Sequence, residues 1–165
     1  MGGGITYSVG PSIKDIDRLE DIAREEISKR GDLKPRKKIF ISFKHEDKQL
    51  VDSFRAQAKN ENSELDFIDM SLKVPFNSEN AEYIRKGIRA RIEQCSVTVV
   101  MVTDKTHESD WVNWEIRESI KLNKSVVIID KTDGKGPLPK AVKENRDKIK
   151  IVPWKHRDIM DALDK

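Results

Sequence analysis

The chain has 165 residues, a length typical of one domain with a sizeable core. Lys and Arg alternate with Asp and Glu to a net charge of +3, so the composition predicts an ordinary solvated surface and no nucleic-acid partner. No apolar run approaches the ~20 residues of a membrane span, no signal peptide is visible, and the single Cys95 excludes an internal disulfide. We therefore expect a cytoplasmic protein without membrane association.

An amphipathic helix is predicted at the start of the chain. Ser12 and Asp15 have the spacing of a capping box, and apolar residues recur at helical spacing from Ile13 to Ile27. Gly31 would end this helix, and the basic segment 34–38 would link it to the rest. The predicted division is an N-terminal helical extension with its linker, residues 1–36, and a main domain, residues 37–165.

Strands and helices alternate through the main domain. Short apolar segments with the composition of buried strands lie at 39–43, 65–68, 96–102, 125–130 and 148–152. Helical patterns fill the intervals, apart from a long loop at 70–80 and a Gly/Pro loop at 133–139. The alternation predicts an α/β, flavodoxin-like three-layer sandwich with a central parallel sheet of about five strands.

Ligands of such sheets bind outside the carboxyl ends of the strands, which places the segments 43–47, 69–80, 103–115 and 130–139 at one edge. Two of the three tryptophans and a glutamate occur together at 111–115. Trp111 and Glu115 share one helix face, whereas Val112 and Ile116 form a separate apolar stripe. We expect Glu115 to lie beside that buried stripe, as a candidate for a cationic or sugar-containing ligand.

Several common chemistries lack their motifs. Neither common type of glycine-rich phosphate loop is present, and the three histidines lack zinc spacing. The end of the first strand has no acidic pair for a magnesium site. We therefore predict neither a bound metal nor a resident cofactor.

Each candidate also has a structural alternative. Glu115 could be a carboxylate of the first helical turn, and both Trp111 and Trp114 could serve packing. In the same way Phe43 could belong to the core, while Lys44 and Asn113 could be ordinary surface residues.

Two segments resemble Toll/interleukin-1 receptor (TIR) domains. Residues 39–47, Ile-Phe-Ile-Ser-Phe-Lys-His-Glu-Asp, resemble their opening strand and loop. Residues 109–116, Ser-Asp-Trp-Val-Asn-Trp-Glu-Ile, resemble their Ser-x-Trp-Cys-x-x-Glu-Leu motif and are most similar to the bacterial TIR-like branch of Thoeris anti-phage defence. Val112 stands where the family often has cysteine. The resemblance covers residues 37–160 and leaves out the N-terminal helix.

The resemblance implies cleavage of the nicotinamide–ribose bond of NAD⁺. In the Thoeris branch the ADP-ribosyl part becomes a cyclic or otherwise modified signalling nucleotide. The position matching the catalytic glutamate is Glu115. We expect Trp111 and Phe43 to contact the substrate rings, with nearby polar groups from Ser42, Lys44 and Asp69.

Two functional classes follow. The first is an enzyme that uses NAD⁺ as substrate, with a phage-derived trigger, a homo-oligomeric assembly and a downstream effector reached through the product nucleotide. The second is a non-catalytic TIR module that forms homotypic complexes through the loop 69–80. The intact Glu115, and the expectation that the domain stands alone, favour the enzyme.

Overall fold

The structure, a computed structural model, describes residues 12–29, 37–60, 65–69 and 75–164, without the side chains of residues 26–29 and 69. The chain divides into two compact units, residues 1–35 and 36–165. The predicted helix end at Gly31, the linker residues 34–36 and the loop residues 70–74 lie outside the described residues.

The first unit contains one described helix, α1 (Ile13–Lys29). The predicted cap is confirmed, because Asp15 N donates to Ser12 Oγ at 3.3 Å and Ser12 N donates to Asp15 Oδ2 at 3.1 Å. The Ser12 hydroxyl donates to the same carboxylate at 2.6 Å, and these hydrogen bonds hold the pKa of Asp15 below its usual value. These reciprocal hydrogen bonds between Ser12 and Asp15 satisfy backbone N–H groups that have no partner within the helix.

The second unit alternates strands with helices, as predicted. None of the described helices is long and apolar enough to cross a membrane. In chain order the elements are β1 (Lys37–Ser42), α2 (Lys48–Asn60), β2 (Leu65–Asp69), α3 (Ala81–Gln94), β3 (Val97–Val102), α4 (Asp110–Lys121), β4 (Ser125–Asp130), α5 (Lys140–Glu144), β5 (Ile149–Pro153) and α6 (His156–Leu163).

The strands form one five-stranded sheet in the order β2-β1-β3-β4-β5. All four pairings are parallel. The predicted fold class is therefore confirmed, and the carboxyl ends of all five strands meet at one edge. The segments that leave β1 and β3 are neighbours at this edge because these two strands pair directly.

The alternation of side chains along β1 separates its residues between the two faces of the sheet. Ile39, Ile41 and Phe43 belong to a core cluster that includes apolar residues of α2 and α6. Phe40 belongs to a cluster with residues of α3 and α4. Ser42, two residues after Phe40, is on this second side, where it lies next to the side chain of Glu115.

Helix α4 is fixed to the middle of the sheet by two buried hydroxyls. The Ser119 hydroxyl donates to the carbonyl of Glu115 at 2.7 Å, and it lies 2.7 Å from the Thr98 hydroxyl of β3. Because the hydrogen of Ser119 is used by the carbonyl, Thr98 donates to Ser119. At the other end, Ser109 caps the helix by accepting from the N–H of Val112 at 3.2 Å.

Candidate functional site

The loops that follow β1 and β3 are joined to each other at the carboxyl edge. The Thr103 hydroxyl donates to Asp47 Oδ2 at 2.9 Å, and Lys44 forms an ion pair with Glu108 at 3.4 Å. Burial raises the pKa of Asp47, and the hydrogen bond from Thr103 opposes part of that rise. The predicted meeting of segments 43–47 and 103–115 is confirmed by these contacts.

Glu115 is buried, with 2% of its surface exposed. It lies beside the stripe of Val112 and Ile116, as expected, and it is itself buried because neighbours cover the helix on two sides. Trp111 clusters with residues of α3 on one side. Val112 and Ile116 cluster with Ala141 of α5 on the other side, and Glu115 lies between these clusters.

Burial raises the pKa of Glu115 from its ordinary value of 4.5 to about 8. The adjacent Ser42 hydroxyl opposes part of the rise, although the two groups stop short of full hydrogen-bonding geometry. Within the described part of the chain, neither Ser42 Oγ nor Glu115 Oε2 has a hydrogen-bond partner. Two adjacent buried polar groups without partners are unusual in a folded protein, and they point to a site that a ligand completes.

Trp111 lies one helical turn before Glu115 and is 8% exposed. Its ring packs edge-to-face against Phe76 at 4.9 Å and against Trp114 at 6.2 Å, measured between ring centroids. The structure therefore places Trp111 one turn from Glu115 and favours the packing alternative for Trp114.

The other predicted substrate-binding residues have different surroundings. Phe43 is 6% exposed and packs on the opposite side of the sheet from Ser42, so its placement favours the core alternative. Lys44 is held between Glu108 and Glu46, at 3.4 and 3.7 Å. Asp69 ends β2 at the correct edge, but its side chain lies outside the described residues. Ser42 therefore lies next to Glu115, whereas Phe43 lies on the other side of the sheet.

Asn113 is not a surface residue of the helix, so that alternative was wrong. It is 8% exposed, and its Oδ1 accepts from the N–H of Ala141 in the first turn of α5 at 2.9 Å. Its Nδ2 donates to the carbonyl of Ser109 at 3.0 Å. Asn113 therefore ties the start of α5 to the start of α4, next to the site.

Neither Arg85 nor Phe76, two residues that lie near the site, was predicted from the sequence. The Arg85 guanidinium of α3 lies over the Phe76 ring, with 4.3 Å from Cζ to the ring centroid, and 5.9 Å from the Trp111 centroid. No local sequence signal marks this arrangement, because the three residues belong to different elements. The opposite orientation of Phe43, by contrast, follows from strand alternation, since Ser42 and Phe43 cannot both face α4.

Cavities lined wholly by described residues include one of about 530 Å³ along α3, beside Tyr83 and Gly87, and one of about 290 Å³ beside Asp130 and Gly134. Neither of these two is lined by Ser42 or Glu115. Among the residues that the structure describes, no group of three His, Cys, Asp or Glu side chains is placed to hold a metal ion.

Residues 40–135 match the family model described as Thoeris protein ThsB, TIR-like domain, and this range includes both Ser42 and Glu115. The fold is similar to that of the Clostridium botulinum CMP N-glycosidase BcmB, with a TM-score of 0.51 and 11% sequence identity. That similarity covers 78% of this chain and 100% of the other, and at this identity it shows the fold alone. No curated protein matches the sequence significantly.

Proposed function

We propose that this chain, which belongs to the TIR-like domain family of the Thoeris protein ThsB, cleaves the bond between nicotinamide and ribose in NAD⁺. The ADP-ribosyl part then becomes a cyclic or otherwise modified signalling nucleotide in antiviral defence. The observation that carries this proposal is the Glu115 carboxyl, buried at the ligand-binding side of a parallel sheet with an oxygen that lacks a partner in the described structure.

A purely structural role does not account for this carboxyl. An unpaired carboxyl in the interior lowers stability, and an apolar residue of similar size would pack α4 without that penalty. Glu118, one turn along the same helix, shows the structural solution, because it is buried and paired with Arg89 at 3.0 Å. Glu115 lacks any comparable cation among the described residues, so a cationic substrate group is its natural partner.

The reaction requires one well-placed carboxylate. The bond between C1′ of the ribose and the pyridinium nitrogen breaks, and its electron pair neutralises the departing nicotinamide, so no general acid has to protonate the leaving group. The sugar becomes an oxocarbenium-like cation, which the Glu115 carboxylate stabilises. A water or a hydroxyl of the same molecule then bonds to C1′ and loses its proton, or an adenine ring nitrogen bonds to C1′ through its lone pair and takes over the positive charge.

The electrostatics of the Glu115 site fit this chemistry. With a pKa of about 8, Glu115 is mostly protonated at neutral pH before substrate binds. The positive charge of the nicotinamide ring favours the ionised carboxylate, so binding releases a proton and creates the stabilising charge at the reacting bond.

The fold is compatible with the reaction, since BcmB, which has a similar fold, is a CMP N-glycosidase. The homotypic-assembly alternative provides no reason for an unpaired buried Glu115. The proposal includes a phage-derived trigger, a homo-oligomeric active form, a cytoplasmic location and a downstream effector that binds the product. Residues proposed to contact NAD⁺ are Ser42, Trp111 and Glu115, while Lys44 and Asp69 stay predictions.

The test is mass-spectrometric analysis of nicotinamide and nucleotide products, with and without extract from phage-infected bacteria as the trigger. Wild type is compared with Glu115→Gln, and Glu118→Gln serves as a matched control on the same helix. We expect Glu115→Gln to lower turnover by a factor on the order of 100 or more, since it removes the stabilising charge. Glu118→Gln should retain most of the turnover.

Equal nicotinamide release by wild type and Glu115→Gln would exclude the catalytic assignment. No release by wild type under either condition would favour the homotypic-assembly alternative.

A further inference from the structure

Arg85 and Phe76 pack together beside Trp111, one helical turn from Glu115, and neither has a role in the reaction above. The guanidinium of Arg85 contacts two aromatic rings, with its Cζ 4.3 Å from the Phe76 centroid and 5.9 Å from the Trp111 centroid. The two rings also meet each other edge-to-face at 4.9 Å. Arg85 Nη2 donates to the backbone carbonyl of Phe76 at 3.2 Å.

These contacts connect three separate parts of the chain. Phe76 belongs to the segment that leads from β2 into α3, Arg85 is in the second turn of α3, and Trp111 is in the first turn of α4. The first turn of α4 lies at the carboxyl edge of the sheet, where we place the substrate. Arg85 thus contacts the backbone carbonyl of Phe76 and the rings of both Phe76 and Trp111.

We infer that Arg85 is a positioning residue that holds Phe76 against Trp111 and so completes one wall of the substrate site. This inference rests on the proposed function, because it assigns the wall to the site in which Glu115 acts. Phe76 also packs against the core cluster that includes Ile88 of α3 and Trp111 of α4, and Arg85 adds a ring contact and a hydrogen bond to that packing.

Arg85 acts through its neighbours and does not bind substrate itself. One terminal nitrogen is engaged by the Phe76 carbonyl, and the other lies 3.4 Å from Glu82 Oε2. The side chain is 21% exposed, which leaves little of it open to a ligand. A planar guanidinium can stack on a ring and donate to a carbonyl at once, whereas a lysine ammonium cannot keep this geometry.

The kinetic test compares Arg85→Gln, Arg85→Lys and Arg89→Gln in NAD⁺ cleavage by the full chain. Arg89 is a matched control on the same helix, because it stacks on Trp114 at 5.8 Å and pairs with Glu118. A looser wall weakens binding before chemistry, so we expect Arg85→Gln to raise KM about 10-fold and to change kcat less than about 3-fold. Arg89→Gln should leave both parameters near those of wild type.

The Arg85→Lys variant keeps the positive charge but not the planar guanidinium, so it distinguishes a role of geometry from a role of charge. If Arg85 holds the wall by its planar geometry, Arg85→Lys has a KM close to that of Arg85→Gln. Full rescue by Arg85→Lys would overturn the inference, since it would mean that a positive charge alone is required. An unchanged KM in Arg85→Gln would overturn it as well.

A second measurement does not depend on activity. Limited chymotrypsin digestion, followed by mass spectrometry, reports cleavage after Phe76, whose ring is half-buried under Arg85. We expect faster cleavage at this bond in Arg85→Gln and in Arg85→Lys than in wild type or Arg89→Gln. Equal protection in all four proteins would refute the contact. If wild type fails to cleave NAD⁺, the proposed function fails, and the digestion alone then decides whether Arg85 holds Phe76.

Discussion

Replacing Glu115 by Gln should stabilise the folded chain while it removes activity. The side chain is 2% exposed and has an unpaired oxygen in the described structure, so its ionised form is strongly disfavoured by burial. Glutamine has the same shape and cannot ionise, and it therefore avoids this penalty at every pH. The expected gain in the free energy of unfolding must grow as the pH rises.

The size and sign of the effect follow from the two pKa values. Burial raises the pKa of Glu115 from 4.5 to about 8, so the folded chain keeps a proton that the unfolded chain releases. The stability of the wild type is therefore highest below pH 4.5, the pKa of Glu115 in the unfolded chain, and decreases as the pH rises toward about 8, its pKa in the folded chain. Linkage gives a difference between Glu115→Gln and wild type of about 1 kcal/mol near pH 5, ~3 kcal/mol near pH 7 and ~4 kcal/mol near pH 8.

The assay is urea unfolding of both proteins at about pH 5 and pH 8, followed by tryptophan fluorescence. Glu118→Gln is the control of opposite sign, because it removes ion pairs with Arg89 at 3.0 Å and Lys121 at 3.5 Å, and it should destabilise the fold. A difference between Glu115→Gln and wild type that is the same at both pH values would refute the reasoning about this buried carboxyl.

Three further predictions concern the same region. The kcat/KM for NAD⁺ should rise with pH up to a free-enzyme pKa of about 8, because the reaction needs the ionised Glu115; a flat profile over this range would contradict the assigned role. Ser42→Ala removes the neighbour that lowers the pKa of Glu115, so the rising limb of that profile should move to higher pH, and a shift to lower pH would reverse our account of Ser42. Asn113→Ala leaves the N–H of Ala141 without its 2.9 Å acceptor, and we expect it to lower the free energy of unfolding by about 1–3 kcal/mol in urea titration, with no measurable change counting against this interaction.

The sequence was sufficient to predict the sheet and to place the helix that carries Glu115 directly after β3. Strand and helix patterns are local, so the alternation of elements and the carboxyl edge followed from periodicity and from the rules for parallel sheets. The structure confirms the five-stranded parallel architecture. The segments 43–47 and 103–115 at the carboxyl edge were predicted to meet, and the hydrogen bond from Thr103 to Asp47 joins them.

The burial of individual side chains was harder to predict, because it depends on elements that are distant in sequence. Nothing within α4 shows that α3 and α5 cover it on two sides, so the burial of Glu115 was not predicted and the surface alternative for Asn113 failed. The contacts of Arg85 with Phe76 and Trp111 involve three elements and also had no local signal. Phe43 is different, because strict alternation along β1 already assigns it to the face opposite Ser42.

The hydroxyl pair of Thr98 and Ser119 bears on how this domain could diversify. Both residues are fully buried, and together they attach the backbone of Glu115 to the central strand β3. The position of the Glu115 backbone is therefore set by β3 and not by the loops at the carboxyl edge of the sheet. If the chain cleaves NAD⁺ as proposed, changes in these loops would alter which nucleotide is accepted or released without moving the backbone that carries the carboxylate. The sheet therefore sets the position of Glu115, whereas the loops at the carboxyl edge are free to vary in length and sequence.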